Sequence, residues 1–306
     1  MDPAPFRAAE ARLWASTRSR PTERRLDLRR NQVSVRVQEL GEGPPVLFVH
    51  GANTSGASWA TLASRLDGFR RIVLDRPGTG LSDPLPRKVD AATVRGYGET
   101  LLIDVLDALD LPTAHLVATS FGGFVALQTA AAHPDRVGRM VQFSWPAGAP
   151  AAHIPATMRL MTFPLVGRLL TSVPSTEWSV RMTFRGIGHG PSLDDGRITV
   201  QDLATYLALL RSTDTLRNEL AMGRALLSPR AGSRGFSLPD EVLAAIRTPT
   251  HFIWGERDPF GGPDIARQVV ARIPNATLEI VPGAGHAPWL DALDRCATAT
   301  MAALSG

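Results

Sequence analysis

The chain has 306 residues, 44% of them hydrophobic, with 33 lysines and arginines against 29 aspartates and glutamates for a formal net charge of +4. That is enough apolar material for one large domain or for a core carrying an insertion. A balance this close to neutral argues against a nucleic-acid-binding surface: the cations are scattered except between residues 18 and 30, and no aromatic residues interleave with them.

Residues 1–22 alternate alanine and arginine around Phe6, Leu13 and Trp14. They lack the continuous apolar stretch of a signal peptide and predict an amphipathic helix at roughly 4–20. No apolar run approaches the ~18 residues needed to span a bilayer, so neither a membrane nor a nucleic acid is expected as partner. Cys296 is the sole cysteine, which forbids an internal disulfide and suits a reducing cytoplasm.

Residues 24–30 and 33–39 alternate apolar and polar positions, the pattern of an opening hairpin with one solvated face. Apolar strands follow at 46–49 and 71–75, a helix at 91–109, a strand at 115–118, an alanine-rich helix at 121–133 and a strand at 141–144. From about 146 to 239 only helical periodicity occurs, at 158–170, 199–210 and 215–227. The strand rhythm resumes at 250–255 and 277–281. Apolar strands alternating with helices predict an α/β fold: a mostly parallel, twisted eight-stranded sheet with helices on both faces. The expected division is a core at 1–145 and 240–306 with a helical cap at 146–239.

Ala118-Thr119-Ser120-Phe121-Gly122-Gly123 stands between a strand and a helix. A serine on such a turn is pushed out of the sheet, and small residues two before and two after it let the turn close. Serine is a poor nucleophile without a base and an acid. Asp258 follows the strand ending at Gly255, and His286 lies in the glycine-rich loop after the strand ending at Val281. Both loops belong to the carboxyl rim, where open α/β sheets place their sites. The chain order Ser120, Asp258, His286 is that of nucleophile, acid and base. Glu256 is the rival acid, while the loop after residue 144 reads Trp145-Pro146-Ala147-Gly148 and holds no carboxylate.

These motifs, with Val49-His50-Gly51 and Asp75-Arg76-Pro77-Gly78-Thr79-Gly80, resemble the α/β-hydrolase superfamily over nearly the whole chain. Within it the chain looks most like capped bacterial esterases, lactonases, cofactor-free haloperoxidase-like enzymes and carbon–carbon bond hydrolases. The resemblance implies an oxyanion hole from the N–H groups of Phe121 and Ala52, with Asn53 as the fallback, and no cofactor.

It also implies a serine hydrolase (EC 3.1.1) forming an acyl-enzyme on Ser120 from a small to medium, mainly apolar ester or lactone. Carbon–carbon bond hydrolysis and perhydrolysis use the same triad, and a ligand receptor or biosynthetic cyclase is the non-hydrolytic alternative. Asn53, Trp145 and Trp289 are candidate substrate-binding residues, and Phe121 is a candidate pocket wall. Met158, Met161, Phe163, Trp178, Met182 and Phe184 are expected either to line the pocket or to seat the cap. A homodimer stays open.

His50 is expected to be structural, Asp75 with Arg76 to tie down their own loop, and His251 to be a satisfied core histidine. His115, His133, His153 and His189 show no partner pattern. Neither a metal site nor a dinucleotide fingerprint can be assembled: there is no cysteine pair, and Gly78 and Gly80 lack a third glycine and a following helix pattern.

Overall fold

The computed structural model describes residues 1–149, 174–226 and 236–306. The strands are β1 (Thr22–Leu28), β2 (Val33–Leu40), β3 (Pro45–Val49), β4 (Arg70–Leu74), β5 (Ala114–Thr119), β6 (Val137–Phe143), β7 (Thr250–Gly255) and β8 (Ala276–Val281). They form one eight-stranded sheet of order β1-β2-β4-β3-β5-β6-β7-β8. The β1–β2 and β2–β4 pairs are antiparallel, and the others are parallel. From β3 the chain steps outward to β4 and returns to β5 on the other side of β3. That reversal sets the carboxyl ends of β3 and β5 side by side, with Val49 opposite Ala118.

The helices are α1 (Ala4–Ser16), α2 (Ala60–Ala63), α3 (Val94–Ala108), α4 (Ser120–Ala132), α5 (Glu177–Gly186), α6 (Gly190–Asp194), α7 (Val200–Ser212), α8 (Thr215–Leu226), α9 (Asp240–Ala245), α10 (Pro263–Val270) and α11 (Leu293–Ser305). Neighbouring residues of one strand pack into different layers. Leu47 and Val49 of β3 share one core layer with Leu101 of α3 and Phe124 of α4, whereas Val46 and Phe48 share the other with Leu62 of α2 and Leu304 of α11. A strand buried on both faces must be apolar throughout, as 46–49 is.

The hairpin departs from expectation. β2 is buried on both faces, because α1 lies across the side expected to be solvated. Trp14 of α1 donates its Nε1–H to Gln38 Oε1 at 3.1 Å. The buried Arg36 bonds Glu10 of α1, Glu23 Oε2 at 2.9 Å and Asp75 Oδ2 at 3.0 Å. A charge is kept in such a place only by pairing. α1 itself stops at Ser16, short of residue 20, before Arg18 takes a left-handed φ of 59°.

Between β6 and β7 the described residues form α5 to α9 and no strand. Thr176 with Ser179 and Thr199 with Asp202 make capping boxes that start α5 and α7. The helix expected at 158–170, with Met158, Met161 and Phe163, lies outside the described residues, as does His153. Trp178 and Met182 of α5 are 71% and 38% exposed, so neither lines an interior cavity, whereas Phe184 is buried. Among the described residues no helix is long and apolar enough to cross a membrane.

Candidate active site

Thr119 ends β5 and Ser120 begins α4 with φ at 53°. That left-handed conformation costs a non-glycine residue on the order of 1–3 kcal/mol and is retained where the surroundings enforce it. Gly122 is what lets α4 start so close to β3. A Cβ there would stand 2.2 Å from the Val49 carbonyl oxygen and 2.5 Å from that of His50. Ala118, at the other small position, is fully buried in β5.

His286 Nδ1 lies 2.9 Å from Asp258 Oδ2, and both side chains are buried. The carboxylate is fixed on both oxygens: Oδ2 also accepts the Trp145 N–H at 3.0 Å and Oδ1 accepts the Phe260 N–H at 2.9 Å. Glu256 points elsewhere, its Oε2 accepting the Gly283 N–H at 2.8 Å at the surface. Phe260 packs edge-on against the His286 ring at 4.6 Å and stacks on Trp145 at 5.4 Å. Trp145 therefore backs Asp258 and His286, and its ring is not on the cavity described next.

Ser120 and His286 line one cavity of about 140 Å³, with Gly51, Ala52, Trp289 and, from the helices, Phe184 and Leu209. With Nδ1 engaged by Asp258, Nε2 is the nitrogen available to Ser120. Among the described residues no hydrogen bond yet joins the two, a looseness common before substrate arrives. Trp289 is held by stacking on Trp59 at 4.2 Å and by its Nε1–H to the Ser58 carbonyl at 3.0 Å.

The N–H groups of Ala52 and Phe121 donate to no acceptor among the described residues. Asn53, the fallback donor, differs: its N–H goes to Glu219 Oε2 at 3.0 Å, and its side chain is not on this cavity. Glu219, on α8, also accepts Arg76 Nη2 at 3.1 Å. The buried Arg76 donates to the carbonyls of His50 at 3.0 Å and Gly51 at 2.8 Å, and lies 4.9 Å over the Phe121 ring. The Phe121 ring is thus buried among Arg76, Tyr97, Phe124 and Phe236 instead of forming the cavity wall.

Asp75 ties down its own loop as expected and, with Arg76, also holds neighbouring elements. Asp75 takes the N–H groups of Gly56 at 2.8 Å and Leu81 at 2.9 Å besides Arg36. His50 is structural, Nδ1 lying 2.8 Å from the Gly51 carbonyl and Nε2 accepting the Arg76 N–H at 3.1 Å. Burial, and then the Arg76 charge, hold its pKa well below the usual histidine range. His251 is half-buried and satisfied by Thr277 Oγ1 at 2.7 Å.

His189 does have a partner. Its Nδ1 lies 2.7 Å from Asp291 Oδ2, and its Nε2 accepts the Ala287 N–H at 3.2 Å. Asp291 Oδ2 also accepts the Gly285 N–H at 2.8 Å, so this fully buried pair grips the loop on both sides of His286. The residues lie 102 apart in sequence, and no local spacing announces them. Asp202 was equally unmarked as a site residue, although Thr199-x-x-Asp202 ahead of an apolar helix is a legible capping signal. Among the described residues no group of three His, Cys, Asp or Glu side chains is placed to hold a metal ion.

Comparison with known proteins gives the same architecture. The chain is 30% identical over 250 residues, 80% of its length and 81% of the relative's, to a 2-hydroxy-6-oxononadienedioate/2-hydroxy-6-oxononatrienedioate hydrolase of Cupriavidus pinatubonensis. It is 29% identical, over 83% of this chain and 86% of the relative, to a 2-hydroxy-6-oxo-6-phenylhexa-2,4-dienoate hydrolase of Comamonas testosteroni. A carboxylesterase of Bacillus subtilis superposes with a TM-score of 0.77 at 20% identity, covering 99% of this chain and 98% of that one. A model of the alpha/beta hydrolase family matches residues 46–299, and the chain belongs to that family.

Proposed function

We propose that the protein is a serine hydrolase that cleaves a small to medium, mainly apolar carboxylic ester or lactone through an acyl-enzyme on Ser120. The observation carrying this reading is a left-handed serine opening onto the same cavity as His286, whose far ring nitrogen bonds a fixed carboxylate. Ser120 Oγ attacks the acyl carbon and His286 Nε2 takes the hydroxyl proton. The oxyanion is met by the N–H groups of Ala52 and Phe121. The carbon–oxygen bond of the ester then breaks and the leaving alkoxide receives the proton from His286. Water repeats the sequence in reverse to free the acid. Asp258 keeps the imidazole oriented and stabilises its cationic form. In this reading α5 to α8, within 146–239, act as a cap that excludes water from the cavity.

A second reading is carbon–carbon bond hydrolysis, favoured by the names of the relatives at 29–30% identity. The same serine and histidine would serve it. Against it stands the lining: the described cavity residues include no lysine or arginine, whereas a dienedioate brings two carboxylates. Intact-mass labelling with a fluorophosphonate tests the shared premise. One adduct on Ser120, lost in Ser120→Ala and His286→Ala, is expected; an unlabelled folded wild type contradicts an activated serine. Comparing activated esters with a hydroxy-oxo-dienoate then separates the readings.

A further inference from the structure

The part of the cavity wall built from helices carries two polar side chains that neither the fold nor the proposed triad fully uses. Asp202, Thr205, Tyr206 and Leu209 recur at the spacing of one helical face of α7, and all four line the cavity that holds Ser120 and His286. Thr205 gives its hydroxyl to the Ala9 carbonyl at 3.3 Å, and Thr183 of α5 gives its own to the Ser179 carbonyl at 3.0 Å. Asp202 engages only Oδ2, which accepts the Thr199 N–H at 2.8 Å and hydroxyl at 2.6 Å. Its Oδ1 and the Tyr206 hydroxyl have no hydrogen-bond partner among the described residues.

Both side chains are partly buried. Burial pushes the Asp202 carboxyl up from its usual range and the Tyr206 phenol up to about 12. A carboxylate partly withdrawn from water gains most from a strong donor, and the described residues lining this cavity offer no lysine or arginine to supply one. The remaining wall combines the apolar Leu13, Phe184, Ile187, Leu209 and Leu290 with neutral hydroxyl side chains such as Thr54, Ser55 and Ser58, and Asp202 is its only carboxylate among the described residues.

We infer, resting on the serine-hydrolase reading, that Asp202 and Tyr206 form a polar subsite that selects substrates bearing a hydroxyl or ammonium group remote from the scissile bond. A carboxylate-ended substrate would meet like charge at Asp202. The subsite therefore separates this chain from a relative named for a dienedioate.

The test is a matrix of p-nitrophenyl esters of four- to eight-carbon acids ending in methyl, hydroxyl, ammonium or carboxylate, read as kcat/KM ratios in wild type, Asp202→Asn and Tyr206→Phe. Asparagine keeps the acceptor that caps α7 and removes the charge. In the wild type the better of the hydroxyl or ammonium ends should exceed the carboxylate end by about tenfold or more. Asp202→Asn should collapse that ratio to about threefold or less, and Tyr206→Phe should lower the hydroxyl-ended ester alone, by a few-fold. An unchanged ratio in Asp202→Asn at every chain length overturns the subsite. If no ester is turned over, the hydrolase reading fails by itself. Calorimetric binding of the matching p-nitroanilides then reads the subsite independently: the same order of affinities, lost in Asp202→Asn, supports it, and equal affinities overturn it.

Discussion

Asp291 binds His189 and the loop of His286 at once, accepting from His189 Nδ1 and from the Gly285 N–H with the same oxygen, at 2.7 and 2.8 Å. Because His189 Nε2 accepts a main-chain N–H, the hydrogen the ring gives to Asp291 is the one on Nδ1.

Removing either member leaves buried main-chain N–H groups unpaired, so His189→Ala and Asp291→Ala should each lose about 2–4 kcal/mol of stability in urea titrations. The rate of fluorophosphonate labelling should fall with it. Variants of wild-type stability and wild-type labelling rate would show that the pair does not hold the loop.

Asp258→Asn should lower turnover by roughly 10³- to 10⁴-fold with little change in KM, since an amide cannot fix the same imidazole tautomer. Glu256→Gln, at the exposed rival position, should stay within about twofold. Reversal of these effects in steady-state kinetics would move the acid from Asp258 to Glu256.

Two neighbouring glycines of α4 should respond differently. Gly122→Ala drives a methyl group into the rigid Val49 and His50 carbonyls, and a loss of at least about 3 kcal/mol or failure to fold is expected. Gly123→Ala meets the end of the Gln142 side chain, 2.3 Å from its Oε1, and that side chain has torsions to yield with. Thermal melts should rank Gly123→Ala as the milder change; the opposite order would contradict the tight approach of α4 to β3.

His50 sets a pH dependence. The unfolded chain takes up a proton on this residue below about pH 6.5, while the folded protein, with its pKa well below that, does not. Stability from this group is therefore complete above about pH 6.5 and falls by about 1.4 kcal/mol per unit as pH drops below it, until the folded pKa is reached. His115 and His251 are shifted in the same direction by burial and add to the slope. Histidine resonances followed by NMR in the folded protein should show a His50 ring that stays neutral well below the ordinary histidine range; titration near 6.5 would refute this.

The sheet was legible because its inner strands are largely apolar, so that the runs at 46–49 and 250–255 fall on β3 and β7, while the edge strand β8 was marked by the apolar Leu278, Ile280 and Val281 of the run at 277–281. Ser120, Asp258 and His286 could be nominated because strand–loop boundaries mark them. What stayed hidden depends on packing between distant segments. Arg36 reads as a solvated strand position until α1 folds across it, and nothing in the local sequence shows that Asp75 also pairs with that arginine. Trp178 looks like core by residue type yet stands in solvent, since α5 turns its Val180 and Phe184 inward.

Gly188, Gly255 and Gly285 meet backbone to backbone. A Cβ on Gly255 would fall 1.9 Å from the Gly285 carbonyl oxygen, and one on Gly188 would fall 2.8 Å from the Gly285 Cα. The Ile187 carbonyl accepts the His286 N–H at 2.9 Å across the same seam. The segment joining α5 to α6 is thus welded to the histidine loop. Swinging it outward would break the main-chain bond that seats His286, so this hem of the helical layer moves only together with the loop that carries the imidazole.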